Sequence, residues 1–128
     1  MSADGLTYDT GALIAAERDN RLMWALHRAS LSRGRPPTVP AGVLAEAWRG
    51  GPQHRLSSLL KGCTVEGLTR TQARHVGALI AKCSLDDIVD VAVAEGAMRR
   101  NDAVVTSNRT HIQHIGDSVS RQITIHDV

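Results

Sequence analysis

The sequence predicts one three-layer α/β/α domain, with helices on both faces of a central, mostly parallel sheet of about five strands. Short apolar runs bounded by turn residues alternate with longer segments whose apolar residues recur at helical spacing. Such alternation favours parallel pairing, because each helix carries the chain back across the sheet. The 128 residues fit a single domain spanning 1–128, and no repeat or linker interrupts them.

The segments with strand character are short and end in polar or turn-forming residues. They are residues 5–9, a stretch between prolines within 36–40, and residues 63–68, 102–108 and 122–128. The first predicted strand ends at Asp9 and the fourth at Asn108. Because sites in parallel sheets form beyond the carboxyl ends of the strands, we expect both residues to border a site.

Helical spacing of apolar residues accounts for the segments between the strands. The predicted helices are two within residues 10–34, broken near Asp19 and Asn20, and then 41–50, 53–62, 69–83, 84–100 and 109–116. The run Gly50-Gly51-Pro52 ends one of them, since glycine accommodates the left-handed cap and proline cannot continue the helix.

Composition narrows the class of protein. The net charge of +2 is too small to indicate nucleic-acid binding by itself, although all but two of the 15 basic residues are arginines, which suit phosphate. Cys63 and Cys83 have no CxxC spacing and are expected to be reduced and structural. No signal peptide is visible and no segment reaches the ~18 apolar residues of a membrane span, so we expect a cytoplasmic protein.

Asp86, Asp87 and Asp90 crowd three acids into about one helical turn. Ser84 and Asp87 have the spacing of a capping box, which explains an acid at a helix start. Capping does not explain Asp90, which shares a helix face with the other two and is repelled by them. A divalent cation such as Mg²⁺ would turn that repulsion into attraction, whereas a solvated charged face is the simpler alternative.

Asp9 and Glu46 are the other candidate acids. Asp9 precedes a predicted helix, where an N-cap is its ordinary role, although Thr10 could cap almost as well. Glu46 lies on a predicted helix beside Ala47, and a lone glutamate there is usually a surface residue. The run Asp9-Thr10-Gly11 also matches an aspartic-protease signature, but the helical pattern that follows argues against that class.

Basic and metal-binding side chains give weaker signals. His111 and His114 could share a helix face, but zinc needs further ligands, so a solvated short helix is the better interpretation. Arg99 and Arg109 could contact phosphate, while a charged helix end explains Arg99 equally well. The sequence contains neither a P-loop nor a GxGxxG motif.

In order and spacing, these motifs resemble the PIN-domain family, most closely the VapC-type toxins of bacterial toxin–antitoxin pairs. The resemblance covers residues 5–128 and lies in "YDTGALIAAE", "VPAGVLAEAWRG" and "LDDIVDVAVAEGAMRRNDAVVTSN", which contain Asp9, Glu46, Asp87 and Asp90. It implies a PIN-like fold in which acids from distant segments meet in one cleft.

The resemblance also implies an activity, which is Mg²⁺- or Mn²⁺-dependent hydrolysis of RNA phosphodiester bonds. In this interpretation Asp9, Glu46 and Asp90 are core metal ligands or orienting groups, and Asp87 and Asn108 are supporting ligands. The implied partners are an RNA substrate, a small VapB-like antitoxin that blocks the cleft, and a second copy of the chain in a homodimer.

Asn108 departs from the family pattern, because many relatives carry Asp at this position. An amide oxygen can still coordinate a cation but brings no charge, which puts a second metal site in question. Thr106 and Ser107 have two open interpretations, as orienting groups or as ordinary turn residues. Two alternatives remain open: a PIN-like RNA- or protein-binding domain with weak or no catalysis, and an unrelated α/β domain whose acids only cap helices.

Overall fold

The central sheet explains how distant segments of the chain reach one edge. A computed structural model describes residues 3–128 and places five strands in a single sheet: β1 Gly5–Tyr8, β2 Thr38–Pro40, β3 Thr64–Glu66, β4 Asp102–Thr106 and β5 Ile125–Asp127. The strand order is β3-β2-β1-β4-β5, and every neighbouring pair is parallel. The carboxyl ends of all strands therefore lie at one edge, with β1 in the middle.

Helices connect the strands and form the outer layers. In chain order they are α1 Thr10–Glu17, α2 Arg21–Ser32, α3 Ala41–Ala47, α4 His54–Leu60, α5 Arg70–Cys83, α6 Ile88–Arg100 and α7 Arg109–Asp117. Asn20 starts α2, since its side chain accepts from the Met23 N–H, and this confirms the predicted break between the first two helices. Thr69 and Gln72 form a reciprocal capping box at the start of α5.

Apolar packing divides the helices into two groups. Helix α1 packs on β1 and β4 and contacts α2, α3 and α4, whereas α6 packs on β1, β2 and β4 and contacts α5 and α7. Buried side chains at the two groups include Leu13 and Leu56 in the first, and Val91 and Ile115 in the second. The predicted three-layer α/β/α architecture is confirmed, and the sheet is parallel throughout the described residues.

Several element boundaries differ from the sequence predictions. The helix predicted from residue 84 begins at Ile88, because Ser84 adopts a left-handed backbone (φ 58°) and ends α5 instead. The capping box predicted for Ser84 is therefore wrong, and Asp87 alone caps α6. The fourth strand ends at Thr106 rather than Asn108, which precedes α7. Within residues 3–128, no helix is long and apolar enough to cross a bilayer.

Candidate active site

Asp9 lies at the carboxyl end of β1 and is only 5% exposed. Its Oδ1 accepts from the Thr10 N–H at 2.8 Å, and its Oδ2 accepts from the Thr106 hydroxyl at 2.7 Å. Burial raises the pKa of Asp9, the two hydrogen bonds oppose that rise, and the charges of Asp90 and Glu46 add to it. Burying a carboxylate is costly, which makes Asp9 a candidate for a role beyond helix capping.

Strand register brings Thr106 to Asp9. Tyr8 and Val105 are directly paired in the parallel ladder of β1 and β4, so the next residues on each strand, Asp9 and Thr106, become neighbours. The Asp9 N–H extends this pairing by donating to the Val105 carbonyl at 3.0 Å. Thr106 is completely buried, and its hydroxyl also accepts from the Asn108 N–H at 2.9 Å. The Thr106 hydroxyl is therefore hydrogen-bonded to both Asp9 and Asn108, the two residues that the sequence predicted at strand ends.

Glu46 reaches the same edge from α3. Its Oε1 accepts from the Thr10 hydroxyl at 2.6 Å, although the residue itself is exposed. Thr10 follows Asp9 directly, and the charge of Glu46 contributes to the raised pKa of Asp9. The structure thus brings together two of the sequence-predicted acids, through a threonine that the sequence analysis treated only as a possible cap.

The crowded acids of the 84–90 segment separate into different roles. Asp86 is exposed and precedes α6, whereas Asp87 is its N-cap and accepts from the Asp90 N–H at 3.1 Å. Asp90, in the first turn of α6, has a side chain 18% exposed, and its charge acts on Asp9. Of the three, Asp90 is therefore the one whose charge acts on Asp9, and Asp87 supports it by fixing the helix start.

His111 completes this edge of the sheet. Its Nδ1 lies 3.0 Å from Asp90 Oδ2 and 2.9 Å from Asn108 Nδ2. His114 instead contacts the Cys83 carbonyl at 2.8 Å, so the two histidines do not share a site. From the sequence, His111 was interpreted as a residue of a solvated short helix; its position three residues after Asn108, the N-cap of α7, was the available signal for this contact.

Gly11 allows the turn after β4 to approach α1. A Cβ added at Gly11 would lie 2.0 Å from Ser107 Oγ and 3.0 Å from the Ser107 backbone nitrogen. These distances are too short for any side chain, so only glycine permits this close approach. The positions of Ser107 and of the following Asn108 therefore require that residue 11, in the first turn of α1, has no side chain.

The two arginines proposed to contact RNA are both held by carboxylates. Arg109 Nη2 is 2.7 Å from Asp127 Oδ2 in an exposed pair at the start of α7. Arg99, near the end of α6, donates to Glu95 at 2.9 Å and to Glu66 at 2.6 Å. Because α6 rises about 1.5 Å per residue, Arg99 lies roughly 13 Å along the helix from Asp90. Arg109 directly follows Asn108 in the chain, so it is nearer in sequence to the candidate site than Arg99 is.

The donor atoms at this edge fit a hard divalent cation by their chemistry, since they are carboxylate and amide oxygens. They do not form a preformed cage: among residues 3–128 no three His, Cys, Asp or Glu side chains are placed to hold one ion. Mg²⁺ requires only one or two carboxylates when it retains several waters. These oxygens therefore suit a cation that keeps much of its hydration.

Solved structures share this fold. A chain in the crystal structure of VapBC2 from Rickettsia felis, bound to a DNA fragment from their promoter, superposes with a TM-score of 0.72 at 14% identity, over 96% of this chain and 98% of that one. A chain in DNA-bound VapBC from Salmonella typhimurium gives a TM-score of 0.70 at 19% identity, over 99% and 98%. No family model and no curated protein matches the sequence. The likeness confirms the predicted PIN-like fold of the VapC kind, at the level of fold.

Proposed function

We propose that the protein is a metal-dependent endoribonuclease and the toxin of a VapBC-type toxin–antitoxin pair. The observation that carries this proposal is the meeting of Asp9 and Asp90, 81 positions apart in the chain, at the carboxyl edge of a parallel sheet. The charge of Asp90 contributes to the raised pKa of Asp9, and Asp9 is buried despite that repulsion. A helix-capping role alone requires neither the burial nor the second acid.

The proposed cofactor is Mg²⁺ or Mn²⁺, held by Asp9, Asp90 and Glu46 with support from Asp87 and Asn108. When bound, the cation would lower the pKa of a coordinated water and stabilise charge on the phosphodiester. The chain supplies orientation: Thr106 and Thr10 fix the Asp9 carboxylate, and Asp87 fixes the first turn of α6. No side-chain nucleophile is required for this chemistry.

The proposed partners are an RNA substrate, a small VapB-like antitoxin and a second copy of the chain. The Rickettsia felis and Salmonella typhimurium structures are both VapBC assemblies bound to DNA, which supports an antitoxin partner here. An apolar groove beside the site offers a surface for it, and its lining includes Leu68 and Ile88, which are 51% and 57% exposed. The homodimer is proposed from the family resemblance, as is a cytoplasmic location.

The decisive experiment is RNA cleavage with matched variants. Purified protein would be incubated with RNA and either Mg²⁺ or Mn²⁺, beside the variants Asp9→Asn and Asp90→Asn. Asp86→Asn is the control, because Asp86 belongs to the same acidic cluster but is exposed and precedes α6. We expect cleavage by the wild type and Asp86→Asn and none above background by the other two. A folded wild type that cleaves no RNA with either metal would exclude the proposal.

A second candidate is a PIN-like domain that binds RNA or protein with weak or no catalysis. It is favoured by Asn108, an amide at a position where an acid would add charge, and by the lack of a preformed cage among residues 3–128. This candidate predicts RNA or antitoxin binding that Asp9→Asn leaves unchanged, together with no cleavage by the wild type. Fluorescence anisotropy with labelled RNA separates the two functions.

A further inference from the structure

A pocket between α2 and α4 is lined mainly by positively charged side chains. Its volume is about 370 Å³, which falls within the range of small-ligand sites. Three exposed arginines and an exposed histidine border it: Arg21, Arg28, Arg55 and His54. Among the described residues that line the pocket, Asp19 is the one acid. Three guanidinium groups against one carboxylate favour an anion as the ligand.

The positive charge of the pocket is largely uncompensated. Within residues 3–128, no carboxylate lies within ion-pair distance of Arg21 or Arg28. Arg55 Nε is 3.7 Å from Asp19 Oδ1, but these side chains are 55% and 66% exposed, so the pair is weak. The two arginines discussed at the candidate active site are, by contrast, held by carboxylates at 2.6–2.9 Å. The pocket therefore offers cations that are available to a ligand.

Trp24 adds a planar aromatic ring to the same pocket. Its Nε1 donates to the Ala16 carbonyl at 3.0 Å, and the His27 ring stands at 86° to the indole with centroids 5.6 Å apart. These contacts hold the half-buried indole in one orientation, so little side-chain entropy is lost when a ligand packs against it. Arg21, Trp24 and Arg28 have the i, i+3, i+7 spacing of a single helix face, which puts the ring beside the cations.

The pocket lies away from the candidate active site. Helix α1 begins at Thr10, next to Asp9, and ends at Glu17, two residues before Asp19. Because an α-helix rises about 1.5 Å per residue, α1 separates its two ends by about 12 Å. Among the described residues, none of the acids proposed as metal ligands lines this pocket. A ligand bound there would therefore leave those acids uncovered.

We propose that this pocket is a second binding site for single-stranded RNA, separate from the cleft in which cleavage is proposed. Guanidinium groups bind phosphate through paired hydrogen bonds, and an indole stacks on any nucleobase. An acidic peptide would satisfy the charge, but its carboxylates would not stack on Trp24. The inference rests on the proposed ribonuclease function for the identity of the ligand, and it adds a contact that holds the substrate outside the cleft.

The test measures RNA binding in the absence of metal, so that no cleavage is required. The chain contains two tryptophans, and Trp48→Phe leaves Trp24 as the only one that reports on binding. This protein would be titrated with an oligouridylate of about ten nucleotides, first unlabelled to follow Trp24 emission and then labelled for anisotropy at several salt concentrations. Polyglutamate of equal charge is the competitor that represents an acidic peptide.

The informative variant carries Arg21→Gln together with Arg28→Gln. Arg33→Gln is the matched control, because Arg33 follows α2 directly, is exposed and does not line the pocket. Thermal melts verify that each variant is folded. Cleavage assays with Mg²⁺ or Mn²⁺ give the KM and kcat of the same proteins.

We expect the double variant to bind RNA about tenfold more weakly, with the slope of log affinity against log salt reduced by about 1.4 for two lost phosphate contacts. RNA should quench Trp24, polyglutamate should not, and Arg33→Gln should stay within about twofold of the starting protein. In cleavage, the double variant should raise KM and leave kcat unchanged, because the pocket contains none of the proposed metal ligands.

Four results would overturn the inference: unchanged affinity in the double variant, an equal loss in Arg33→Gln, RNA binding without a change in Trp24 emission, or displacement of RNA by polyglutamate as effective as by an oligonucleotide of equal charge. The last result would assign the pocket to an acidic peptide. Each of the four leaves the proposed ribonuclease standing if the wild type cleaves RNA. Absence of both RNA binding and cleavage by the folded wild type would overturn the inference and the proposed function together.

Discussion

The Thr106 hydroxyl donates a 2.7 Å hydrogen bond to the Asp9 carboxylate and accepts another from the Asn108 N–H at 2.9 Å. This residue therefore links the end of β1 to the turn that follows β4. Both Thr106 and Asp9 are buried, so water cannot freely replace the hydrogen bond between them. The geometry of the candidate site therefore depends on Thr106, which holds the Asp9 carboxylate in place.

Replacing Thr106 with Val should destabilise the protein by about 1–3 kcal/mol, because a buried carboxylate loses a donor while the shape of the side chain is retained. The hydrogen bond from Thr106 lowers the pKa of Asp9, so its loss should raise that pKa further. Urea denaturation measures the first effect, and an upward shift of the acidic limb of the pH–activity profile measures the second. Thr64→Val, on the exposed strand β3, is the control and should leave both unchanged.

Asp9→Asn should raise the stability of the protein at neutral pH, by on the order of 1 kcal/mol, while abolishing cleavage. The folded-state pKa of Asp9 is raised above its ordinary value of 3.8, so protonation favours the folded state. The stability that protonated Asp9 contributes is fully present below pH 3.8. It is lost as the pH rises through the raised folded-state pKa.

Thermal melts across the acidic range provide the measurement for Asp9→Asn. The melting-temperature difference between the variant and the wild type should be small below pH 3.8 and grow towards neutral pH. The exposed control Asp86→Asn should show no such growth. A variant that is less stable than the wild type at neutral pH would show that burial of the charge is not the dominant effect.

Gly11→Ala should destabilise the protein by about 1–3 kcal/mol and abolish metal-dependent activity, because the new Cβ would overlap Ser107. That Cβ would lie 2.0 Å from Ser107 Oγ and 2.8 Å from Ser107 Cβ. Adding Ser107→Gly removes both atoms and should restore most of the stability. Gly77→Ala is the control: nothing lies within 4 Å of a Cβ there, so the change should stabilise α5 by about 0.5–1 kcal/mol.

Arg109→Gln should weaken RNA binding about two- to tenfold with little change in stability, because its pair with Asp127 is exposed. Asp127→Asn should strengthen binding, since it releases the guanidinium for phosphate. Anisotropy titrations in the Asp90→Asn background measure both effects without cleavage. If Asp127→Asn strengthens binding equally in protein that also carries Arg109→Gln, the phosphate contact at Arg109 is excluded.

Arg99→Gln is the matched comparison among the arginines. Because Arg99 neutralises the buried Glu95 and also binds Glu66, its loss should cost about 1–3 kcal/mol of stability. RNA affinity should remain within about twofold of the wild type, as the residue lies along α6 from the cleft. A loss of RNA affinity with unchanged stability would instead support the phosphate contact predicted for Arg99.

The sequence by itself determined the layers of this protein and the acids from which its site is proposed. Alternating strand and helix patterns require a parallel sheet, and parallel strands place Asp9 and the turn containing Asn108 at one edge. Local signals also located the break at Asn20, where the cap is built from adjacent residues. These features depend on short-range geometry, which the order of residues fixes.

Only the tertiary structure decided which side chains meet. Ser84 was predicted to begin a helix but ends α5, because its backbone is left-handed and its N–H donates to the Ile80 carbonyl. The contacts of Thr106 with Asp9 and of His111 with Asp90 join residues 97 and 21 positions apart. Such pairs arise from strand register and helix packing, which a single sequence does not encode locally. The acids could therefore be predicted from the sequence, and the groups that hold them could not.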